Sequence, residues 1–234
     1  MRILIIEDDK EIRDLLEDFL LSHGYEVSVA QDGCVATNLI KTEKYNLILV
    51  DMMLPYKSGD EIIKELRESD DIEARSTPVI VISAKTMKDT RLSVLKMGAD
   101  DYIVKPFDLD EVLVRIEVVL RRSNSFSAND SADNTLSYNG LTVNYDLNLI
   151  TYNDKELKLT STEIKLLELF LKNPIKTFSK ANLYESVWND EYCYDDNTIN
   201  VHMSNLRNKL KKATGTEFIK TVWGIGYKLD DKES

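Results

Sequence analysis

Four apolar runs in the first half of the chain each end in a polar residue able to do chemistry. Ile3-Leu4-Ile5-Ile6 ends in Glu7-Asp8, Leu47-Ile48-Leu49-Val50 in Asp51, Val79-Ile80-Val81-Ile82 in Ser83, and Tyr102-Ile103-Val104 in Lys105-Pro106. Three carboxylates, a hydroxyl and an ammonium suit a divalent metal and a phosphoryl group. Crowded carboxylates repel one another unless a cation sits among them, and oxygen donors are what Mg2+ prefers. An aspartate beside such a cation can attack phosphorus and become an acyl phosphate. Lysine would neutralise the phosphoryl oxygens and serine would donate a hydrogen bond to one of them. Each residue alone has a plainer reading. Glu7, Asp8 and Asp9 could cap a helix and occupy its first turn, Asp51 could be an ordinary strand-end acid, and Lys105 a solvated turn residue. Their shared place at strand ends favours the pocket.

The elements that must position them follow from periodicity. The runs are short and β-branched, as expected of strands buried on both faces. Between them lie amphipathic stretches. The first carries Ile12, Leu15, Leu16 and Phe19 on one face and stops at Gly24. Further helices are expected near 33–41, 59–68, 87–97 and 109–122, and strands at 25–29, 46–50, 78–82 and 102–104. The alternation predicts an α/β domain: a doubly wound parallel five-stranded sheet with helices on both faces. In such sheets ligands bind along the edge where the carboxyl ends of the strands meet.

Residues 123–134 are small, polar and aperiodic, and read as a flexible linker between a domain at 1–122 and another at 135–234. The second domain has a different grammar. Asn139-Gly140 is a hairpin turn signal, and Asn153-Asp154 is a second turn before Glu156–Leu159. Thr160 and Glu163 form a capping box opening a helix through Leu171, which Asn173-Pro174 closes. Ser179 caps a helix carrying Leu183, Val187 and Trp188, and a third helix runs from about Thr198 to Lys212. A hairpin from Phe218 to Leu229 closes the chain. Three helices and a terminal hairpin suggest an α+β winged helix-turn-helix.

The chain has 234 residues and a formal net charge of −11, which at first argues against nucleic acid. The distribution weakens that objection. Residues 1–122 hold 17 Lys and Arg against 25 Asp and Glu, whereas 204–228 hold six cations against Glu217 alone. A local basic patch can serve nucleic acid on an acidic chain. No apolar stretch reaches the roughly 20 residues that span a bilayer, and no signal peptide is apparent. Cys34 and Cys193 lie far apart, so a cytoplasmic location without a disulfide framework is expected. A nucleotide-binding reading lacks a Gly-rich loop after the first strand. An aspartyl-phosphate hydrolase would want a general acid at Met53.

Ile-Glu-Asp-Asp at 6–9, Val-Asp-Met-Met-Leu-Pro at 50–55, Ser-Ala-Lys at 83–85 and Gly-Ala-Asp-Asp-Tyr-Ile-Val-Lys-Pro-Phe at 98–107 together resemble the receiver domain of two-component response regulators. The resemblance implies a flavodoxin-like (CheY-like) sheet of order 2-1-3-4-5. It implies Asp51 as phosphoacceptor for a sensor histidine kinase, rather than an enzyme's nucleophile. Mg2+ (or Mn2+) would be held by Glu7, Asp8, Asp51 and the Met53 backbone carbonyl. Lys105 and Ser83 would contact the phosphoryl group, Lys105-Pro106 would be cis, and Ser83 and Tyr102 would form the switch. A homodimer face would carry Lys88, Arg91, Asp100, Asp101, Glu111 and Arg115, with Arg91 meeting Glu111 and Asp100 or Asp101 meeting Arg115 across a two-fold axis.

Thr-Ile-Asn-Val-His-Met-Ser-Asn-Leu-Arg-Asn-Lys-Leu at 198–210 and Thr-Val-Trp-Gly-Ile-Gly-Tyr-Lys-Leu at 221–229 resemble the OmpR/PhoB winged-helix domain. In the third helix Ile199, Met203, Leu206 and Leu210 form the core stripe, opposite Asn200, Ser204, Arg207 and Lys211. The resemblance implies that Asn200, Val201 and Asn205 read bases. Trp188, Thr198, His202 and Arg207 would contact phosphates, and Asn197, Ser204, Trp223 and Tyr227 complete the DNA face. Many relatives have arginine at Asn197, Ser204, Asn205 and Trp223. Fewer cations imply weaker salt dependence, and asparagines imply an A·T-leaning direct repeat in promoter DNA. RNA polymerase is an expected further partner, and no membrane role is expected.

Overall fold

Short β-branched runs pair only if both faces are covered, and the chain meets that condition by alternating them with helices. In a computed structural model, residues 1–84, 88–124, 135–144, 147, 149–188 and 196–230 are described, the side chains of 88–91, 121–124 and 196–197 excepted. The chain divides into two units, Met1–Ser123 and Asn124–Ser234.

The first unit runs β1 (Arg2–Ile6), α1 (Lys10–Ser22), β2 (Glu26–Ala30), α2 (Gly33–Thr42), β3 (Leu47–Asp51), α3 (Gly59–Glu68), α4 (Ile72–Ser76), β4 (Val79–Ser83), α5 (Lys88–Met97), β5 (Asp101–Val104) and α6 (Leu109–Asn124). The strands lie in the order β2-β1-β3-β4-β5, every pairing parallel. Alternation along each strand sorts the core into two layers. Leu4, Ile6, Ile48, Val50, Val79 and Val81 pack with Ile62, Ile63 and Leu66 of α3. Ile3, Ile5, Leu47, Leu49, Ile80 and Ile82 pack with α1 and α6 through Leu16, Leu20, Val112 and Ile116.

The expected order and the strand-end placement are both present. The short helix α4 is not foreseen by the sequence reading. Five residues are too few to show a helical period, but Asp71 caps it by accepting from the N–H groups of Glu73 and Ala74.

The second unit pairs β6 (Thr135–Tyr138), β7 (Leu141–Asn144), β8 (Leu149–Tyr152) and β9 (Lys155–Glu156) as an antiparallel sheet in chain order. Asn139-Gly140 and Asn153-Asp154 all have positive φ, as a tight I′-type connection demands. After the Asn153-Asp154 turn the strand β9 ends at Glu156, and Leu157 and Leu159 are buried in the core. Helices α7 (Ser161–Lys172), α8 (Lys180–Trp188) and α9 (Asp196–Thr214) follow, then the hairpin β10 (Ile219–Val222) and β11 (Gly226–Leu229). The capping box of Thr160 and Glu163 is formed, and Ser179 accepts the N–H of Asn182 at 3.1 Å. The linker expected at 123–134 lies, from residue 125, outside the described residues, as does Cys193. Among the described residues no helix is long and apolar enough to cross a membrane.

Candidate functional site

Parallel strands that end level with one another bring Glu7, Asp51, Ser83 and Lys105 to one edge. Carboxylate oxygens of Glu7, Asp8 and Asp51 lie within 4.8 Å of one another, with Glu7 and Asp51 buried and Asp8 exposed. The Lys105 ammonium reaches into this cluster, 2.7 Å from Glu7 Oε2, and also pairs with Asp51 Oδ2. The peptide bond Lys105-Pro106 is cis, and the Lys105 N–H donates to the Ser83 carbonyl at 2.9 Å. Asp51 Oδ1 accepts the Met53 N–H at 2.8 Å.

The plain helix-capping reading applies to Asp9 alone. Its Oδ1 accepts from Glu11 and Ile12, which leaves Glu7 and Asp8 for the pocket. Burial raises the Glu7 pKa above its ordinary value, against the opposing hydrogen bond and charge of Lys105. Burial by itself would lower the Lys105 pKa, but hydrogen bonds to Asp51 and Glu7 outweigh it and raise it. Three clustered carboxylates, two of them paired to one lysine, form an all-oxygen donor set short of positive charge. That fits a hard divalent cation such as Mg2+.

Ser83 and Tyr102 are both buried. Tyr102 pairs in register with Val81, and its ring lies inside, in the layer that holds Val50 and Val81. It is not a wet edge-strand tyrosine.

The charged face departs from expectation at Asp100. That side chain is fully buried, held by Arg67 at 3.0 Å and by the Val79 N–H at 2.9 Å. It therefore does not belong to an exposed surface, and Asp101 is buried as well. Arg115 pairs within its own chain, at 2.9 Å from both Asp101 and Glu111. Burial opposes its charge, but those carboxylates hold its pKa above the ordinary value. The side chains of Lys88 and Arg91 lie outside the described residues.

Along α9, Ser204 is exposed and Asn200, Asn205 and Arg207 are half-buried. Arg207 donates to Thr221 Oγ1 at 3.1 Å, and the Tyr227 hydroxyl donates to Asn200 Oδ1 at 3.3 Å. These bonds tie the hairpin to the helix. Trp188, Thr198, Val201 and His202 differ from expectation, because all four are buried. Trp188 stacks on Tyr184 at 5.1 Å and lies 5.5 Å from the His202 ring. In this structure they build the seat of α9 rather than its exposed face. The Asn197 side chain lies outside the described residues. Trp223, at the hairpin tip, is fully exposed.

Residues 3–117 match the response regulator receiver domain. Residues 154–229 match the C-terminal domain of transcriptional regulatory proteins. The chain belongs to the two-component response regulators of the OmpR/PhoB type. It is 40% identical over 230 residues to the uncharacterized transcriptional regulatory protein YcbL of Bacillus subtilis (strain 168), covering 97% of this chain and 100% of that one. It is 35% identical over 234 residues to the transcriptional regulatory protein ResD of the same organism, covering 98% and 95%. A solved structure of a RitR mutant superposes with a TM-score of 0.82 over 98% of both chains at 23% identity, a likeness of fold. This response regulator thus has a receiver domain and a DNA-binding domain, and it regulates transcription.

Two contributors to the response regulator's pocket, and one anchor at the opposite end of the sheet, escape the sequence reading. Arg13 donates to the backbone carbonyls of Glu7 at 2.9 Å and Asp8 at 3.3 Å, and so holds the acidic turn. Gly59 opens α3 directly against the Asp51–Met52 backbone, where a Cβ would strike the Asp51 carbonyl oxygen and lie 2.9 Å from Met52 Cα. Arg67 anchors the turn before β5. An arginine one helical turn after an acidic strand end was the available signal for Arg13. The Ser58-Gly59 helix start was the signal for Gly59.

Proposed function

We propose that this response regulator takes a phosphoryl group from a sensor histidine kinase onto Asp51, dimerises, and then binds promoter DNA, with RNA polymerase as a further partner, in the cytoplasm. The observation that carries the reading is the convergence of Glu7, Asp8, Asp51 and Lys105 on one sheet edge. An Asp51 oxygen forms the new O–P bond while the donor's P–N or P–O bond breaks and the leaving group keeps the electron pair. Glu7, Asp8, Asp51 and the Met53 carbonyl would hold Mg2+ or Mn2+, which when bound screens the charge of an in-line transfer. Lys105, released from its two carboxylates, would turn to the phosphoryl oxygens, and Ser83 would donate to another. The new charge and acceptors draw Ser83 toward them, and the buried Tyr102 ring supports the emptied space.

The charged face made by α5, β5 and α6 supports the dimer. Glu111 and Arg115 on α6 offer both signs, with Arg115 held from below by the buried Asp101, and the sequence adds the cation of Arg91, as an isologous interface needs. Asp100 takes no part. Residues 123–134 would tether the receiver to the winged helix, whose Asn200, Ser204, Asn205 and Arg207 face DNA.

The test is phosphorylation with acetyl phosphate, read by intact mass. The wild type should gain one phosphoryl group in Mg2+ and none with chelator, and Asp51→Ala should gain none. Sedimentation should show dimer only after phosphorylation. Labelling of Asp51→Ala, or a phosphorylated protein that binds selected duplexes no more tightly, would overturn the reading.

A further inference from the structure

The hairpin of the DNA-binding unit ends in an apolar tip that its stem does not explain. Trp223 is 91% exposed and Ile225 beside it 60% exposed. The turn is ordered: the Ile225 N–H donates to the Val222 carbonyl at 3.0 Å, and Gly224 takes φ +75°. The stem is fixed on both sides. Ile219 and Leu229 are buried opposite each other, and Tyr227 exchanges two backbone hydrogen bonds with Phe178 at 2.8 and 2.9 Å. Gly226 lies so close to Phe178 that a Cβ there would strike its carbonyl oxygen. Arg207 and Asn200, two turns apart on α9, hold Thr221 and Tyr227. A rigid arm therefore projects a bare indole from alongside the helix that presents amides and cations.

An exposed indole on a rigid, cation-bearing arm has a natural occupant. The segment 204–228 carries six cations against one carboxylate, so its field favours a polyanion. With α9 in a major groove, an element beside it reaches the flanking minor groove. Apolar side chains entering that groove wedge between base steps and unstack them, and aromatic rings stack on base faces. Neither contact uses charge.

Resting on the DNA-binding reading above, we propose that Trp223, with Ile225 beside it, is a stacking wedge that enters the minor groove of duplex DNA. The arm thus adds affinity that does not depend on counterion release. It substitutes a deformation of the duplex for an ion pair, and favours sites with an easily unstacked step next to the segment read by α9.

Trp223 also supplies the assay. The chain has two tryptophans, and the other, Trp188, is 2% exposed. Acrylamide therefore reports on Trp223 in the intact protein. The probe is the duplex recovered from random-sequence DNA by the phosphorylated chain, with binding followed separately by anisotropy of a labelled strand. DNA should shield Trp223 from acrylamide. Trp223→Ala should weaken binding by about 5- to 150-fold with the slope of log K against log salt unchanged. Trp223→Phe should retain most of the affinity, and Trp223→Arg should steepen the slope by about one unit. A melting temperature equal to wild type shows that each variant is folded.

Binding by anisotropy with Trp223 still open to acrylamide overturns the wedge and leaves the DNA-binding reading standing. A Trp223→Ala variant that binds DNA normally but loses transcription assigns the indole to a protein partner and likewise overturns it. Failure to recover any duplex overturns both.

Discussion

Replacing Arg67 with alanine should unfold the receiver more readily than any exposed charge change. The Arg67 side chain is 9% exposed and that of Asp100 1%. The guanidinium donates to the carbonyls of Gly98 at 2.9 Å, Arg75 at 2.6 Å and Thr77 at 2.8 Å, besides Asp100 at 3.0 Å. One side chain thus ties α3 to the end of α4, to Thr77 just after it and to the turn before β5. Truncation removes the ion pair that Arg67 makes with the buried Asp100 carboxylate, while the Val79 N–H bond remains. Breaking a buried pair from one side costs about 3–5 kcal/mol, against about 5–15 kcal/mol for a whole domain. At roughly 3–5 °C per kcal/mol for a unit of this size, the receiver's melting transition should fall by about 9–25 °C. Calorimetry of the full chain reads this directly. Adding Asp100→Asn removes the buried charge and keeps an acceptor for Val79, so it should recover on the order of 1–3 kcal/mol. A fall below about 3 °C, the range of an exposed ion pair worth ~0–1 kcal/mol, would refute the reasoning. So would a double variant less stable than Arg67→Ala.

Two further outcomes are expected. Gly59→Ala would push a methyl group into the Asp51–Met52 backbone. It should cost about 1–3 kcal/mol as overpacking and slow phosphoryl uptake from acetyl phosphate, and normal uptake would show that Gly59 does not set the aspartate's place. Hydrogen bonds from Lys57 and then Lys41 lower the Glu65 pKa. A depressed carboxyl contributes stability that is full above its unfolded value, about 4.3, and fades as pH falls through the folded one. The difference in melting temperature between wild type and Glu65→Gln should therefore be flat at neutral pH and vanish in acid; growth of that difference below about pH 4 would contradict the sign. Glu65 is partly exposed, so the effect should be small and weaken in salt.

The sequence by itself determined the parallel α/β class, the residues at the sheet's edge and the winged-helix grammar, while the strand order came only through the family resemblance. Parallel strands buried on both faces must be short, apolar and β-branched, and a polar residue that ends such a run must lie at the ligand-binding edge. Turn and capping chemistry is equally local, so Asn139-Gly140 and the Thr160–Glu163 box were legible too. Tertiary structure alone decided which polar residues face inward. Asp100 lies in the turn before β5 and Asp101 opens that strand. One is buried under Arg67, and the other pairs with Arg115 from α6. The pattern Gly-Ala-Asp-Asp-Tyr does not distinguish them, because Arg67 lies 33 residues away. Val201 and His202 sit among polar helix residues in sequence, yet α9 turns them into the core. Only the packing of α9 settles how wide its buried stripe is. Residue types and spacing thus specified the chemistry. Which copy of a repeated residue type performs it depends on burial, and burial is a property of elements brought together from distant parts of the chain.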